Sequence, residues 1–312
     1  MRHVTDIETL GRDDLDRILE GALLYDRMLL EGKDIGDPLR GRLQFNLFYE
    51  NSTRTSLSFL IAGRKMGVEV VNVPVAASSI HKGESLRDTV LTLAAQGADF
   101  LVLRASGAGS IDAAKSSMHE MGFGTSVINA GEGAFGHPTQ ALLDAATLYK
   151  ALHREPKDGL GGISIAIIGD LVHSRVAASC TRLFAKLGAE VRLCAPEDLL
   201  PQWATDGAAL VTTSRDEALD GVDVAMALRI QRERFDTDIP LDPETYRSDY
   251  GLSMEALSFA KPTAFVMHPG PMNRGVEIDD DVADDQSRSL ILQQVAMGVP
   301  TRMSCLAFAA EL

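Results

Sequence analysis

Residues 45–59, FNLFYENSTRTSLSF, hold the change of pattern from which the fold of this chain is read. Leu43, Phe45, Leu47 and Tyr49 alternate only imperfectly with Gln44, Asn46 and Phe48, as in a strand buried on both faces, and Glu50-Asn51-Ser52 ends the run. Ser52 and Thr53 suit a helix start, and Leu57, Phe59, Leu60 and Arg64 to Met66 continue at helical spacing. The corner carries chemistry as well. A helix start offers free backbone N–H groups and a partial positive charge, and the hydroxyls of Ser52, Thr53 and Thr55 with the Arg54 guanidinium complete a phosphate cradle. Taken alone, the same corner reads equally as a capped helix with a solvated arginine, the commoner case.

Outward from it the strand–corner–helix device recurs. Glu69 to Val75 is a second strand and makes a βαβ unit, Ser85 to Gln96 a helix, Phe100 to Leu103 a strand ending in Arg104, and Asp112 to Met121 a helix. Thr125 to Asn129 is a short strand, and a Gly-rich turn with His137 leads into the helix Gln140 to Leu152. The polar, Gly- and Pro-rich segment 153–162 marks a junction. Beyond it Ile163 to Ile168 is a buried strand that leaves through Gly169-Asp170, and His173-Ser174-Arg175 opens the helix Val176 to Leu187. Glu190 to Cys194 and Val222 to Ala227 are strands, the latter running into Arg229-Ile230-Gln231. The long charged stretch that follows, to Ser253, reads as a lid loop before a helix Met254 to Phe259. Ala264 to Met267 is a strand entering His268-Pro269-Gly270-Pro271. Residues 1–33 read as one helix capped at Thr5-Asp6, and Ser287 to Met297, continuing after Pro300, as a terminal helix that returns to the first domain. The pattern implies an α/β chain of two doubly wound domains, each a mostly parallel sheet flanked by helices.

Composition bounds the function. The 312 residues are 45% hydrophobic and 24% charged, which suits two globular domains, and no stretch has the layout of a signal peptide or a membrane span. The expected place is the cytoplasm. A net charge of −14 argues against a nucleic-acid or membrane surface, which needs clustered cations. Cys180, Cys194 and Cys305 are scattered without a Cys/His cluster, so they read as buried thiols and no metal site is indicated. Against that acidic background, polar groups stand at five strand exits or helix starts: 52–55, Arg104, His137-Pro-Thr-Gln140, His173-Ser-Arg175 and Arg229-x-Gln231. In doubly wound sheets such exits converge on one edge. No G-x-G-x-x-G follows 163–170, which excludes a nucleotide-binding dehydrogenase.

STRT after a strand, LVLR, HPTQ, GD-x-x-HSRVA, LR-x-Q and HPGPMNRGVEI, in this order over essentially the whole length, resemble the catalytic chains of the aspartate carbamoyltransferase family. STRT and HPTQ are shared by carbamoyltransferases generally, whereas HSR, LR-x-Q and HPGP point to aspartate as acceptor. The resemblance implies a carbamoyl phosphate-binding domain at 1–138 plus 291–312 and an aspartate-binding domain at 139–290. It implies carbamoyl transfer from carbamoyl phosphate to L-aspartate, an early step of pyrimidine synthesis, without cofactor or metal. Ser52, Thr53, Arg54 and Thr55 would hold the phosphate and Arg104 would bridge phosphate and carbonyl oxygens, through charge-assisted contacts worth about 1.5–3 kcal/mol each. Thr55, Arg104 and His137 would stabilise the tetrahedral oxyanion, and Gln140 would fix the carbamoyl NH2. Arg175 and Arg229, assisted by Gln231, would take the two carboxylates of aspartate, because a guanidinium forks onto a carboxylate. Glu50 stands where the family pairs a carboxylate with the arginine matching Arg175, and Pro269-Gly270 where backbone carbonyls meet the amine.

Ser78 (or Ser79) and Lys82 match a loop that reaches the neighbouring subunit's site, which implies a homotrimer with shared sites; a regulatory chain or a dihydroorotase partner is also compatible. The chain departs from the family at Ser56 and Leu60, where a basic and an acidic residue usually form an i, i+4 pair. Losing both together removes an ion pair worth ~0.3–0.5 kcal/mol. Two other readings stay open: a carbamoyltransferase with another amino-acid acceptor, and a non-catalytic carbamoyltransferase-like partner subunit.

Overall fold

A computed structural model describes residues 2–74, 83–231 and 242–312. The chain forms two compact units, Met1–Ala146 with Ala296–Leu312, and Thr147–Val295.

In the first unit, strands β1 (Leu43–Phe48), β2 (Glu69–Val73), β3 (Phe100–Ala105) and β4 (Ser126–Glu132) form an all-parallel sheet in the order β2-β1-β3-β4. Helices α1 (Arg12–Leu30), α2 (Thr53–Lys65), α3 (Leu86–Ala95), α4 (Ser110–Glu120) and α5 (Pro138–Ala151) flank it. β1 is buried on both faces, as its imperfect alternation implies: Phe45 and Leu47 join Val90, Leu93, Ile111 and Met118 of α3 and α4 in one core. Gln44 and Asn46 are buried too: Gln44 Nε2 donates to Asn46 Oδ1 at 2.7 Å, and Asn46 Nδ2 donates to Asn72 Oδ1 at 2.8 Å. The helix α10 (Ile291–Ala309) returns here at its C-terminal end, where Ser304 Oγ donates to the Ile18 carbonyl at 2.7 Å and Ser126 Oγ to that of Ala309 at 3.3 Å. Pro300 lies inside α10 without ending it.

In the second unit, β5 (Ser164–Ile168), β6 (Glu190–Cys194), β7 (Leu210–Thr212), β8 (Val224–Ala227) and β9 (Phe265–Met267) form a second parallel sheet, ordered β7-β6-β5-β8-β9. α6 (Arg175–Lys186), α7 (Arg215–Leu219), α8 (Pro243–Tyr250) and α9 (Asp280–Ala283) accompany it. Ile168, Ala225, Ala227 and Val266 form its core with Leu219, Leu257 and Ile278. The doubly wound α/β reading is thus borne out in both halves.

Both sheets reverse direction once. In the first the chain steps from β1 outward to β2 and then crosses to β3 on the other side of β1; in the second it steps from β5 to β6 and β7 and then crosses to β8. Diverging connections leave a crevice at the strand C-termini between β1 and β3, and another between β5 and β8.

Several boundaries differ from the sequence reading. α1 starts at Arg12, not near Thr5, because Val4 pairs with β4 (Val4 N to Val127 O, 3.0 Å) and Asp6 closes a turn by accepting from Glu8 N at 2.9 Å. Part of the expected lid loop is helical: Asp242 caps α8 by accepting from Thr245 N at 2.9 Å, and Pro243 occupies its first turn. The remainder of that stretch, 232–241, lies outside the described residues. The expected helix 254–259 is only a short 3-10 turn, Ala256–Ser258.

Candidate active site

The first crevice collects the residues read from the opening stretch. α2 begins at Thr53 with Ser52 in the N-cap position, but the Ser52 hydroxyl makes no capping bond and the first turn contains no acidic residue. α3, α6 and α8 are different: Ser85, Ser174 and Asp242 each accept from a backbone N–H of their own helix. The positive end of α2 is therefore unquenched from within its own helix, with Thr53 and Arg54 exposed upon it. Thr55 points the other way and is buried, its Oγ1 3.5 Å from His137 Nε2. His137 is buried as well, and its Nδ1 lies 3.5 Å from Thr139 Oγ1. Gln140, one turn into α5, donates from Nε2 to Asp144 Oδ1 at 3.0 Å.

Arg104 leaves β3 opposite Phe48, in register with the end of β1. Its Nη1 donates to the Ala130 carbonyl at 3.3 Å, and its Nε lies 3.3 Å from Glu50 Oε2. Glu50 thus steadies Arg104 within this unit. Thr55 and His137 thus meet, Arg104 stands near the end of β3 and Gln140 lies three residues beyond His137; hydroxyl, guanidinium, imidazole and amide are donors of the kind suited to a phosphoryl group and a neighbouring carbonyl. Ser56 and Leu60 are half-buried, and α2 forms through them without the missing charge pair, while Leu57 and Ile61 of the same helix stay exposed.

The second crevice is wired differently. Gly169 leaves β5 at φ +139°, and a Cβ there would stand 2.6 Å from the Leu228 carbonyl oxygen, so only glycine lets the exits of β5 and β8 approach so closely. Asp170 follows, fully buried, and serves as the hub. Its carboxylate accepts from His173 N at 3.1 Å and Gln231 N at 3.2 Å, and meets His173 Nδ1 at 2.8 Å. Gln231 Nε2 in turn donates to the His173 carbonyl at 3.0 Å. In the sequence Asp170 stands only within GD-x-x-HSRVA at the exit of β5, and its role is not visible there because its partner Gln231 is 61 residues away. Ser174 caps α6 at Ala177 N (3.1 Å), with Arg175 buried in the first turn of α6, and Arg229 lies half-buried two residues beyond β8.

The turn after β9 is held from beneath. Gly270 N donates to His268 Nδ1 at 2.8 Å, so the proton sits on Nε2, which donates to the buried Glu277 at 3.2 Å. His268 N donates to Gln294 Oε1 at 2.9 Å. Pro269 and Gly270 are thereby presented on a fixed support. Ser78, Ser79, His81 and Lys82 lie outside the described residues. The three cysteines are buried free thiols, and burial pushes Cys194 and Cys305 up to about 12. Among the described residues no cluster of three His, Cys, Asp or Glu could hold a metal ion, and no helix is long and apolar enough to cross a membrane.

Two doubly wound units with cations and hydrogen-bond donors at their switch points suit the binding of anionic ligands, and the chain belongs to the aspartate/ornithine carbamoyltransferase family. The family's carbamoyl-P binding domain matches residues 2–150 and its Asp/Orn binding domain residues 161–309. Within the family it is similar to the aspartate carbamoyltransferase catalytic subunits of Rhodospirillum rubrum (45% identical over 307 residues, 98% of this chain and 92% of that one) and Ruegeria pomeroyi (46% over 312 residues, 99% and 96%). Among solved structures it resembles aspartate transcarbamoylase from Trypanosoma cruzi in complex with carbamoyl phosphate and aspartate (33% identity, TM-score 0.85, 98% of this chain and 95% of that one). The same enzyme bound to N-(phosphonacetyl)-L-aspartic acid gives 34% identity and TM-score 0.85, over 98% and 94% of the two chains.

Proposed function

We propose that this chain transfers the carbamoyl group of carbamoyl phosphate to the amine of L-aspartate, giving N-carbamoyl-L-aspartate and phosphate, the early step of pyrimidine biosynthesis that its relatives' name denotes. The observation that carries the reading is the open, acid-free start of α2 with Arg54 upon it, beside Arg104 and the Thr55–His137 pair. Ser52, Thr53, Arg54 and Thr55 take the phosphate, while Arg104, Thr55 and His137 turn donors toward the carbonyl oxygen, where negative charge develops as the amine attacks. A preorganised donor at that point is typically worth about 2.7–4 kcal/mol. The leaving phosphate accepts the amine proton, so the residues need supply no general base.

The first unit is the carbamoyl phosphate half and the second the aspartate half. Arg175 and Arg229 fork onto the two carboxylates, Gln231 assists, and the Pro269-Gly270 turn offers its carbonyls to the amine. The enzyme works in the cytoplasm as a homotrimer, with Ser78 and Lys82 completing a neighbour's site. The exposed Leu57 and Ile61 support an interface on α2. A regulatory chain or a dihydroorotase would add to that trimer without altering the chemistry.

Purified chain is assayed with carbamoyl phosphate against a panel of amino-acid acceptors, with aspartate expected to be strongly preferred. Turnover with another amine alone would overturn the acceptor, and none with any amine would favour a non-catalytic subunit. Mixing inactive Lys82→Ala and Arg54→Ala chains restores activity if sites are shared; no recovery under proven chain exchange removes the shared site.

A further inference from the structure

His268 and Glu277 are each 1% exposed, behind the turn that leaves β9. Buried polar side chains are costly unless hydrogen-bonded, and one connected set of bonds satisfies both. Gly270 N donates to His268 Nδ1 at 2.8 Å, so Nδ1 carries no proton. The ring proton is on Nε2, and its acceptor is Glu277 Oε1 at 3.2 Å. The same oxygen accepts from Asn273 N at 2.5 Å, while Gln294 Oε1 accepts from His268 N at 2.9 Å. All of these residues belong to the second unit.

The network has a consequence on the other side of the turn. The Pro269–Gly270 peptide is planar and trans, so its C=O and N–H point in opposite directions. With the Gly270 N–H drawn onto His268, the Pro269 carbonyl is turned away from the buried side chains. That is the more open direction, since Pro269 and Gly270 are half-buried and Pro271 is exposed. In the other tautomer an Nδ1–H would oppose the Gly270 N–H, donor against donor, and the peptide would have to turn. Glu277 prevents this. Its Oε1 already stands as an acceptor for Asn273 N, and only the Nε2–H tautomer of His268 meets it with a donor.

We propose that Glu277, through the His268 tautomer it selects, holds the Pro269 carbonyl ready to accept an N–H of the attacking amine. The inference rests on the reading of the second unit as the aspartate half, whose Pro269-Gly270 turn meets the amine. Glu277 and His268 are then positioning residues that act through one peptide plane. An amine gains positive charge as it attacks, so its hydrogen bond to a fixed carbonyl strengthens in the transition state. The effect falls on kcat more than on the binding of the acceptor's carboxylates, which Arg175 and Arg229 take.

The test follows, in the full-length enzyme with saturating carbamoyl phosphate, kcat and KM for aspartate and the inhibition constant of succinate, the same dicarboxylate without the amine. Glu277→Met, which keeps bulk and removes the acceptor, is expected to lower kcat on the order of tenfold while succinate binds as in the parent. Glu277→Gln retains an acceptor oxygen for His268 and Asn273 and recovers most of kcat. A merely structural role would instead weaken succinate binding and kcat together, in step with the melting temperature, and that result overturns the proposal. His268→Asn keeps an acceptor for the N–H two residues on without needing Glu277. Adding Glu277→Met to it should therefore cost no further kcat, and a further loss would show that Glu277 does not act through His268. Should Glu277→Met fail to fold, nitrogen NMR of the parent's histidine rings decides, with the His268 signal assigned by its absence in His268→Asn: Nε2–H is expected, and Nδ1–H overturns the proposal. If the parent turns over aspartate and Glu277→Met matches it, the positioning role alone falls. If the parent itself turns over no aspartate, the reading of the second unit fails and the proposal falls with it.

Discussion

The two switch points occupy equivalent places in two similar sheets, yet they are built on different principles. At β1–β3 the helix start is left uncapped by its own side chains and Arg54 stands exposed on it, as the proposed phosphate site requires. At β5–β8 the corresponding helix α6 is capped by Ser174, and the buried Asp170 ties His173 to Gln231. One helix start is left without a side-chain cap or an acidic residue of its own. The other crevice is built around a buried carboxylate whose bonds to His173 and Gln231 carry structural load as well. The difference teaches that binding and stability should separate at the first crevice and travel together at the second.

Arg54→Ala gives the largest effect and the cleanest separation. Turnover should fall on the order of 10²–10³-fold, the usual cost of losing one preorganised cationic donor, with no change in melting temperature because the side chain is exposed. A large drop in melting temperature would show that the first crevice, like the second, is part of the framework.

Asp170→Asn probes the opposite case. The amide retains one acceptor but offers an NH2 toward backbone N–H groups that need an acceptor. Apparent affinity for aspartate should weaken on the order of tenfold or more, in line with hydrogen bonds to a charged group, and the melting temperature should fall with it. Binding of carbamoyl phosphate alone should be unaffected, since His173 and Gln231 belong to the other unit. Unchanged aspartate affinity would break the comparison. Gly169→Ala is expected to act through the backbone alone: strain at φ +139° and a clash with the Leu228 carbonyl destabilise the fold by roughly 1–3 kcal/mol. Thermal denaturation measures that cost.

Much of this could be read from the chain because it is local. β1, the corner at Ser52 and α2 lie within a single stretch, and the Ser174 cap three residues before Ala177 follows a common spacing. What escaped is either non-local or masked by composition. β7 is a three-residue strand, too short for a pattern, and the Asp242-Pro243 start of α8 is submerged in a run of charges. Asp170 reaches Gln231 only once the second sheet is assembled. Nothing in Gly-Asp after a strand announces such a partner.

The smallest effect lies at the opposite end of the β5–β8 pair. Asp223, just before β8, accepts at Oδ2 from Ser164 N and Oγ, both at 3.0 Å, and at Oδ1 from Lys261 Nζ at 2.7 Å. Burial pushes this carboxyl up, but Lys261 and Ser164 outweigh it and hold it below its ordinary value. A carboxyl depressed in the folded state stabilises above its unfolded value, about 3.9, and loses that contribution as pH falls through the folded one. Asp223 is half-buried but Lys261 is exposed, so the pair is partly screened by solvent and the stabilisation is roughly 1 kcal/mol or less. Asp223→Asn should therefore lower the melting temperature by about 1–3 °C at pH 7. The gap from the parent should close below about pH 4, while aspartate affinity at pH 7 stays as it was. A loss of aspartate affinity in this variant would mean that the framework of the second crevice extends down the full length of β5 and β8 rather than residing in the Asp170 hub.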